Sequence, residues 1–250
     1  MQTEDQAVVI RTLEPGAHGS LRFEVAAPMQ SSPQAAAVVE ELWNTLRREN
    51  PRLFDGPVLL AEGAAKDGEE MVCRRATYKT LVTAHAAGLS VRALGVQGVL
   101  VGRDRAGDEH VLLGRRSSGT RIYGGQWENA PSGTIKPPVA GAAAVDWPHI
   151  MAALHEEGLE ELGLNLDASR VGWAALMDDP QAQSLDVVVR LEISGPIDPR
   201  RVPCACGDNG RWEYSGAAWA LTSGLGEWIA RDPAAVSPPT RALMRHLGWA

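Results

Sequence analysis

The chain carries the stretch HEEGLEELGL at residues 155–164, and this stretch ends a predicted helix over residues 147–162. Asp146 is a residue of the type that caps helix N-termini, and Pro148 suits the first turn. Gly163 follows as the C-terminal stop, because glycine readily adopts the left-handed conformation that ends helices. The helix therefore has a predicted start, a predicted stop and a fixed register.

This register places acidic side chains on the apolar face of the helix. At 3.6 residues per turn, Ile150 and Leu154 share one face, which should point to the core. Glu157 and Glu161 fall on that same face, and Glu160 flanks it. The carboxylates thus continue the apolar stripe instead of opposing it.

A solvent-exposed acidic face is the ordinary alternative for such glutamates, but it is costly here. Like charges four residues apart destabilise a helix by about 0.2–0.5 kcal/mol per pair, and residues 155–164 hold no Lys or Arg. Glu160 and Glu161 also stand in the last turn, where the helix dipole disfavours negative charge. Gly158 adds about 1 kcal/mol relative to alanine. These costs indicate a cationic partner, and clustered carboxylates suit Mg²⁺ or Mn²⁺.

Residues 157–164 resemble the second half of the Nudix box, whose pattern is G-x5-E-x7-R-E-U-x-E-E-x-G-U with U aliphatic. The segments LLGRR at 112–116 and GQWENAPSG at 125–133 are similar to the same family. Downstream, residues 212–219 and 224–230 resemble its last strand and helix, so the likeness covers about residues 92–248. The resemblance implies a Nudix-type α/β/α sandwich with a mixed sheet.

The resemblance also implies the chemistry of the site. Glu157, Glu160 and Glu161 would hold Mg²⁺, with Mn²⁺ as an alternative, and Glu157 and Glu161 would be the catalytic residues. Glu128 or Glu213 would add a ligand or a base, or would be ordinary residues at strand ends.

Four further positions are predicted to bind substrate. They are Arg115 and Arg116 as a phosphate clamp, Trp127 as a ring for stacking, and Gly133 in the loop. Each has an ordinary alternative: an exposed arginine at a strand end, or a tryptophan that packs the loop onto the sheet.

The box departs from the family pattern at four places. Glu156 occupies the arginine position, so the salt bridge that steadies the family's loop is expected to be missing. Val139 stands where the first box glutamate belongs, and Gly158 replaces an aliphatic residue. An insertion of nine residues lies somewhere within 136–145. A weakened or inactive site is therefore one expectation.

The N-terminal third has a second likeness. Residues 49–57, ENPRLFDGP, and the pair Thr77-Tyr78 are similar to the extra domain of UDP-glucose- and UDP-galactose-hydrolysing Nudix proteins. A core turn at Leu53 and Phe54 is the alternative. We predict an α+β domain over residues 1–90 and a Nudix domain over 91–250.

Periodicity and turn residues predict the remaining elements. Strands are predicted at 7–13, 21–26, 58–60, 70–73, 91–101, 110–113, 174–177, 186–193 and 213–220, and further helices at 33–49, 78–86, 224–230 and 239–247. Residues 115–133 are predicted to be a long loop.

Composition limits the class of protein. The 250 residues are 44% hydrophobic, enough for a core, and carry a formal net charge of −7. An acidic chain disfavours binding to nucleic-acid backbones. No apolar run approaches the ~18 residues of a membrane span, and the three cysteines form no C-x-x-C pair. We expect a cytoplasmic protein with neither nucleic-acid nor membrane partners, and a homodimer is one assembly that the resemblance implies.

The predicted activity is metal-dependent hydrolysis of the pyrophosphate bond of a nucleoside diphosphate linked to another moiety. A UDP-sugar, giving UMP and a sugar 1-phosphate, is the first expected substrate. One alternative is hydrolysis of a prenyl or specialised-metabolite diphosphate, which an apolar cleft would indicate. Another is an inactive module that binds a nucleotide sugar.

Overall fold

The fold is that of a computed structural model of the chain. It describes residues 8–14, 16–28, 33–51, 53–62, 71–86, 91–139, 141–201 and 213–250. Within these residues the strands are β1 (Val9–Thr12), β2 (Arg22–Ala26), β3 (Pro57–Glu62), β4 (Met71–Thr77), β5 (Arg92–Arg103), β6 (Glu109–Arg116), β7 (Trp127–Asn129), β8 (Ser132–Thr134), β9 (Ala144–Asp146), β10 (Arg170–Asp179), β11 (Ser184–Pro196) and β12 (Tyr214–Leu221). The α-helices are α1 (Pro33–Glu49), α2 (Tyr78–Ala86), α3 (Trp147–Leu162), α4 (Leu225–Arg231) and α5 (Pro238–His246).

Strand β5 is the centre of the sheet. It pairs in parallel with β11 and antiparallel with β3, β6 and β8. Side chains alternate along a strand, so Leu94 and Val96 enter one core cluster while Val99 and Val101 enter another. A strand buried on both faces reads as a nearly continuous apolar run, which is what the sequence of β5 shows.

Helices cover both faces of this sheet. Helix α3 buries Ile150 and Leu154 in the first cluster. Helices α4 and α5 place Leu225, Ile229 and Leu243 in the second cluster. The sheet is mixed, because β5–β11 and β2–β4 are parallel and the other pairs are antiparallel. The predicted mixed α/β/α sandwich is therefore confirmed.

Helix α3 has the predicted bounds. Asp146 caps it, with its carboxylate accepting from the amide of His149 at 3.1 Å. Gly163 ends it in the left-handed conformation, at φ 65°. The helix glycine Gly158 also has a packing reason, because a Cβ there would stand 2.7 Å from Cδ1 of Leu166.

The N-terminal strands are hydrogen-bonded into the same sheet. β1 pairs with β10, β2 with β9, and β3 with β5. Residues 87–90, where the predicted domain boundary falls, lie outside the described residues, as do Cys204, Cys206 and Trp212. The boundary therefore stays a prediction.

Three short strands were not predicted. β7 and β8 lie within residues 115–133 or just beyond, and β9 lies in the insertion. The insertion is attached to the N-terminal segment, because Val25 N donates to Ala143 O at 2.8 Å and Arg75 Nη2 donates to Val139 O at 3.1 Å. Among the described helices, none has the length and apolar character to cross a membrane.

Candidate active site

A cavity of about 1220 Å³ opens beside the central strand β5. Its walls come from five parts of the chain: residues 49–51, 53 and 54 with Tyr78 and Leu81, strand β5 at residues 93–97, the loop and short strands at 116–134, helix α3 through Glu157, and the β10–β11 hairpin. Glu213, which directly precedes β12, closes one side. The cavity therefore collects side chains that are far apart in sequence.

Glu157 lies against a glycine. A Cβ on Gly133 would stand 2.0 Å from Glu157 Oε1, so the carboxylate occupies the space that a side chain would fill. Burial raises the pKa of Glu157 to about 8, and the charges of Glu213 and Glu160 act in the same direction. The group exchanges its proton near neutral pH, as a general acid or base must.

Glu161 is buried, with 3% of its surface exposed. Its Oε2 accepts from the amide of Ser132 at 3.0 Å, whereas Oε1 is buried without a partner in the described residues. Burial raises the pKa of Glu161 well above its usual value, and the charges of Glu213 and Glu157 add to this rise. Burial likewise raises the pKa of Glu213. The carboxylates of Glu157, Glu161 and Glu213 are thus buried close together. A bound cation would offset the cost of burying and crowding their charges.

Glu128 is a structural acceptor within this group. Its Oε1 accepts from Arg116 Nη1 at 2.5 Å, from the Tyr214 hydroxyl at 2.9 Å and from the Ser132 hydroxyl at 3.2 Å. Arg116 Nε donates to the carbonyl of Ile122. Among the described residues Nη2 of Arg116 has no acceptor, so the guanidinium keeps donors for a phosphate. Arg116 therefore lines the cavity with a donor to spare, and its role as a phosphate clamp stays a prediction.

Four predicted site residues do not line the cavity: Glu161, which is buried behind it, and three others. Glu160 is exposed on α3. Arg115 is exposed and donates to the carbonyl of Gly125. Trp127 packs edge-on against Trp228, with ring centroids 6.2 Å apart, as its packing alternative describes. Their roles in binding or catalysis stay predictions.

Glu156, which occupies the box arginine position, forms an exposed ion pair of its own. Glu156 Oε1 lies 2.6 Å from Lys136 Nζ, so an acid on the helix meets a base on the loop. His149 also contacts the Lys136 carbonyl, at 2.9 Å. The helix therefore contacts the loop through Lys136, and the expected absence of the family's own salt bridge stays a prediction.

Sequence reasoning missed the other end of the cavity. Asp179 and Asp186 line it, and burial raises the pKa of Asp186 to about 7. Gln97 and Tyr123 line it as well. Phe54 is 77% exposed on its wall, which differs from a core turn. Asp186 stands out only through its position opposite Gly95 on β5. The pairing register of two strands cannot be read from a single sequence.

The carboxylates fit a divalent cation without forming a finished site. In the part of the chain that the structure describes, no three His, Cys, Asp or Glu side chains already converge on one point. Magnesium is commonly held by one or two carboxylates, with substrate phosphates and waters completing its shell. Glu157 and Glu161, with the unpartnered Oε1 of Glu161, match that pattern.

Comparison with known proteins gives limited similarity. No protein-family profile and no curated protein sequence matches the chain. A Nudix hydrolase from Alicyclobacillus acidocaldarius is 17% identical, with a TM-score of 0.43 over 61% of this chain and 89% of that one. The Nudix domain of Shewanella oneidensis NrtR, solved with ADP ribose, is 14% identical, with a TM-score of 0.42 over 67% and 93%. RenU, a Nudix hydrolase from M. smegmatis, is 16% identical, with a TM-score of 0.40 over 61% and 82%.

These values describe a distant likeness of backbone arrangement. At such identities neither substrate nor residue roles transfer from one protein to another, since one fold hosts many functions. The function must therefore be argued from this chain's own side chains.

Proposed function

We propose that the chain is a Nudix-type hydrolase that cleaves the diphosphate of a nucleoside diphosphate linked to a second group. The observation that carries the proposal is a group of three carboxylates at one side of the cavity: Glu157 and Glu213 line it, and Glu161 is buried next to them. Buried like charges are retained only where they are protonated or meet a cation. Three carboxylates beside a free arginine donor suit a polyanionic substrate that arrives with a divalent ion.

Glu157 and Glu161 would hold that ion. When bound, it supplies neutralisation of phosphate charge and activation of a water. Glu157 is also placed to hold or accept a proton at Oε1, at the surface formed by Gly133. Arg116 would orient the phosphate through Nη2 while its ion pair with Glu128 keeps it in place.

Two alternatives remain distinct. An inactive binding module is favoured by the absence of a preformed three-ligand group among the described residues. A prenyl diphosphate would require an apolar cleft, whereas Asp179 and Asp186 line the far end of this one. An apolar wall that ends at two carboxylates suits a ring with hydrogen-bond donors better than a prenyl chain, and UDP-sugars are the first compounds to test.

The test is Mg²⁺-dependent turnover of nucleotide sugars, dinucleotides and prenyl diphosphates. Glu161→Gln is the diagnostic variant, because it keeps the size of the side chain and removes its charge. Glu227→Gln, at an exposed glutamate on α4, is the matched control. Turnover that is lost only in Glu161→Gln supports the proposal. Ligand-induced stabilisation without turnover of any compound would establish the binding module instead.

A further inference from the structure

Two glycines on neighbouring strands leave room for two carboxylates. A Cβ on Gly95 would stand 2.0 Å from Asp186 Oδ1, just as one on Gly133 would meet Glu157. Gly133 pairs with Val96, the neighbour of Gly95, so the two glycines point to opposite faces of the sheet. Asp186 therefore approaches the sheet from the face opposite to Glu157 and faces its own compartment of the cavity.

This compartment is rich in hydrogen-bond acceptors. Asp186 Oδ2 accepts from the Ser184 hydroxyl at 2.7 Å, whereas Oδ1 has no donor among the described residues. Asp179 takes the hydroxyl of Tyr123, with O–O distances of 2.8 and 3.0 Å. The hydroxyl donors are thus already directed at carboxylates. Within the described residues neither aspartate forms an ion pair.

An independent observation comes from Gln97. This side chain is 5% exposed, lines the cavity, and has a buried Oε1 without a partner in the described residues. It lies two residues along β5 from Gly95, on the same face, which is roughly 7 Å of strand. An unsatisfied buried acceptor costs about 1–3 kcal/mol. A ligand that donates to Gln97 and Asp186 together would remove this cost.

The neighbouring wall is apolar and partly aromatic. Phe54 is 77% exposed there, and Tyr78, Leu81 and Met177 continue the wall. The exposed ring of Phe54, in the same cavity as the acceptors of Asp186 and Gln97, suits a planar heterocycle. Such a ring stacks by its face and donates hydrogen bonds from its edge. A nucleobase is the part of the proposed substrate that has this form.

We infer that Asp186 is a specificity-determining residue that recognises an amino group on the nucleobase. The substrate would then carry a base with an exocyclic amine, such as cytosine or adenine, in preference to uracil. This inference rests on the proposed function and replaces UDP-sugars as its preferred substrates. Uracil presents a carbonyl oxygen where cytosine has its amine, so it offers no proton at that position to an ionised Asp186 or to Gln97 Oε1.

The test is calorimetric binding of CMP and UMP to the full chain with Mg²⁺ at pH 8.5, where Asp186, with its pKa raised to about 7 by burial, is ionised. These probes differ in the group at C4 and in the protonation of N3. We expect CMP to bind about tenfold to a hundredfold more tightly, as one charge-assisted hydrogen bond allows. In Asp186→Asn the new amide donates to a carbonyl, so the preference should vanish or reverse.

Two further variants separate recognition from folding. Gly95→Ala should lower the CMP preference as well, since its methyl group displaces the carboxylate. Asp178→Asn removes a nearby carboxylate that pairs with Arg92 and does not line the cavity, so the preference should stay unchanged.

The outcomes are distinguishable. Equal affinities, a preference for UMP, no binding of either nucleotide, or an unchanged preference in Asp186→Asn would each overturn the inference. Hydrolysis is followed separately with CDP-glucose and UDP-glucose. Selective CMP binding without any hydrolysis would refute the proposed activity and leave base recognition standing.

Discussion

Replacing Gly133 by alanine tests whether the position of Glu157 matters for catalysis. The added Cβ would stand 2.0 Å from Oε1 and 2.2 Å from Cδ of Glu157. Ordinary contact begins at about 3.4 Å, so the carboxylate has to retreat by roughly 1.4 Å. A misplacement of about 1 Å in a catalytic group costs on the order of 100-fold in rate. We therefore expect kcat/KM of Gly133→Ala to fall by about two orders of magnitude.

The free energy of unfolding should change far less. The clashing atoms belong to the end of a flexible side chain beside a cavity, and alanine is a better strand residue than glycine, so we expect a change within about 1 kcal/mol. Gly216→Ala is the control, because Gly216 lies in β12 with nothing within 4 Å of an added Cβ. Urea unfolding, Mg²⁺-dependent turnover and Mn²⁺ binding are measured on both variants. Equal turnover and equal Mn²⁺ affinity in the two would refute the role given to this contact.

Other predictions concern stability. The pKa of Asp186 is raised from 3.8 to about 7 by burial, so the folded state binds its proton more tightly than the unfolded state does. The contribution of Asp186 to the free energy of unfolding is therefore favourable below pH 4 and is lost as pH rises to about 7. In urea unfolding, the stability of Asp186→Asn should rise by about 2–4 kcal/mol relative to that of the wild type between pH 4 and pH 8. Exchanging Lys136 and Glu156 in one double variant should restore the stability that either single charge reversal loses, by about 0.5–1 kcal/mol in a double-mutant cycle; additive single effects would contradict the pair. Gly158→Ala should lower the thermal midpoint despite the better helix propensity of alanine, because its methyl group meets a core leucine at 2.7 Å; a raised midpoint would show that the contact relaxes freely.

The local parts of the site were predictable from sequence. Helix α3, its caps and its buried acidic face follow from periodicity and from the cap residues Asp146 and Gly163. The partner of Glu156 was not predictable, because Lys136 approaches it through a loop of unusual length. The position of Asp186 in the cavity was not predictable either, since it depends on which residue of β5 lies opposite. Spacing along a helix is local information, whereas strand register and the contacts that a loop makes with a distant helix depend on the whole fold.

The pairing of β1 with β10 constrains how this chain is made. Ile10 on β1 pairs with Met177 on β10. At a synthesis rate of about 5–20 residues per second, Met177 is made roughly 10–30 s after Ile10. Until then β1 lacks its partner strand, and an unpaired strand edge can pair with other chains. β2 similarly lacks its partner β9 until residues 144–146 have been made. The nascent chain therefore completes its sheet late, and the cavity that Phe54 lines receives its last glutamate only when residue 213 has been made.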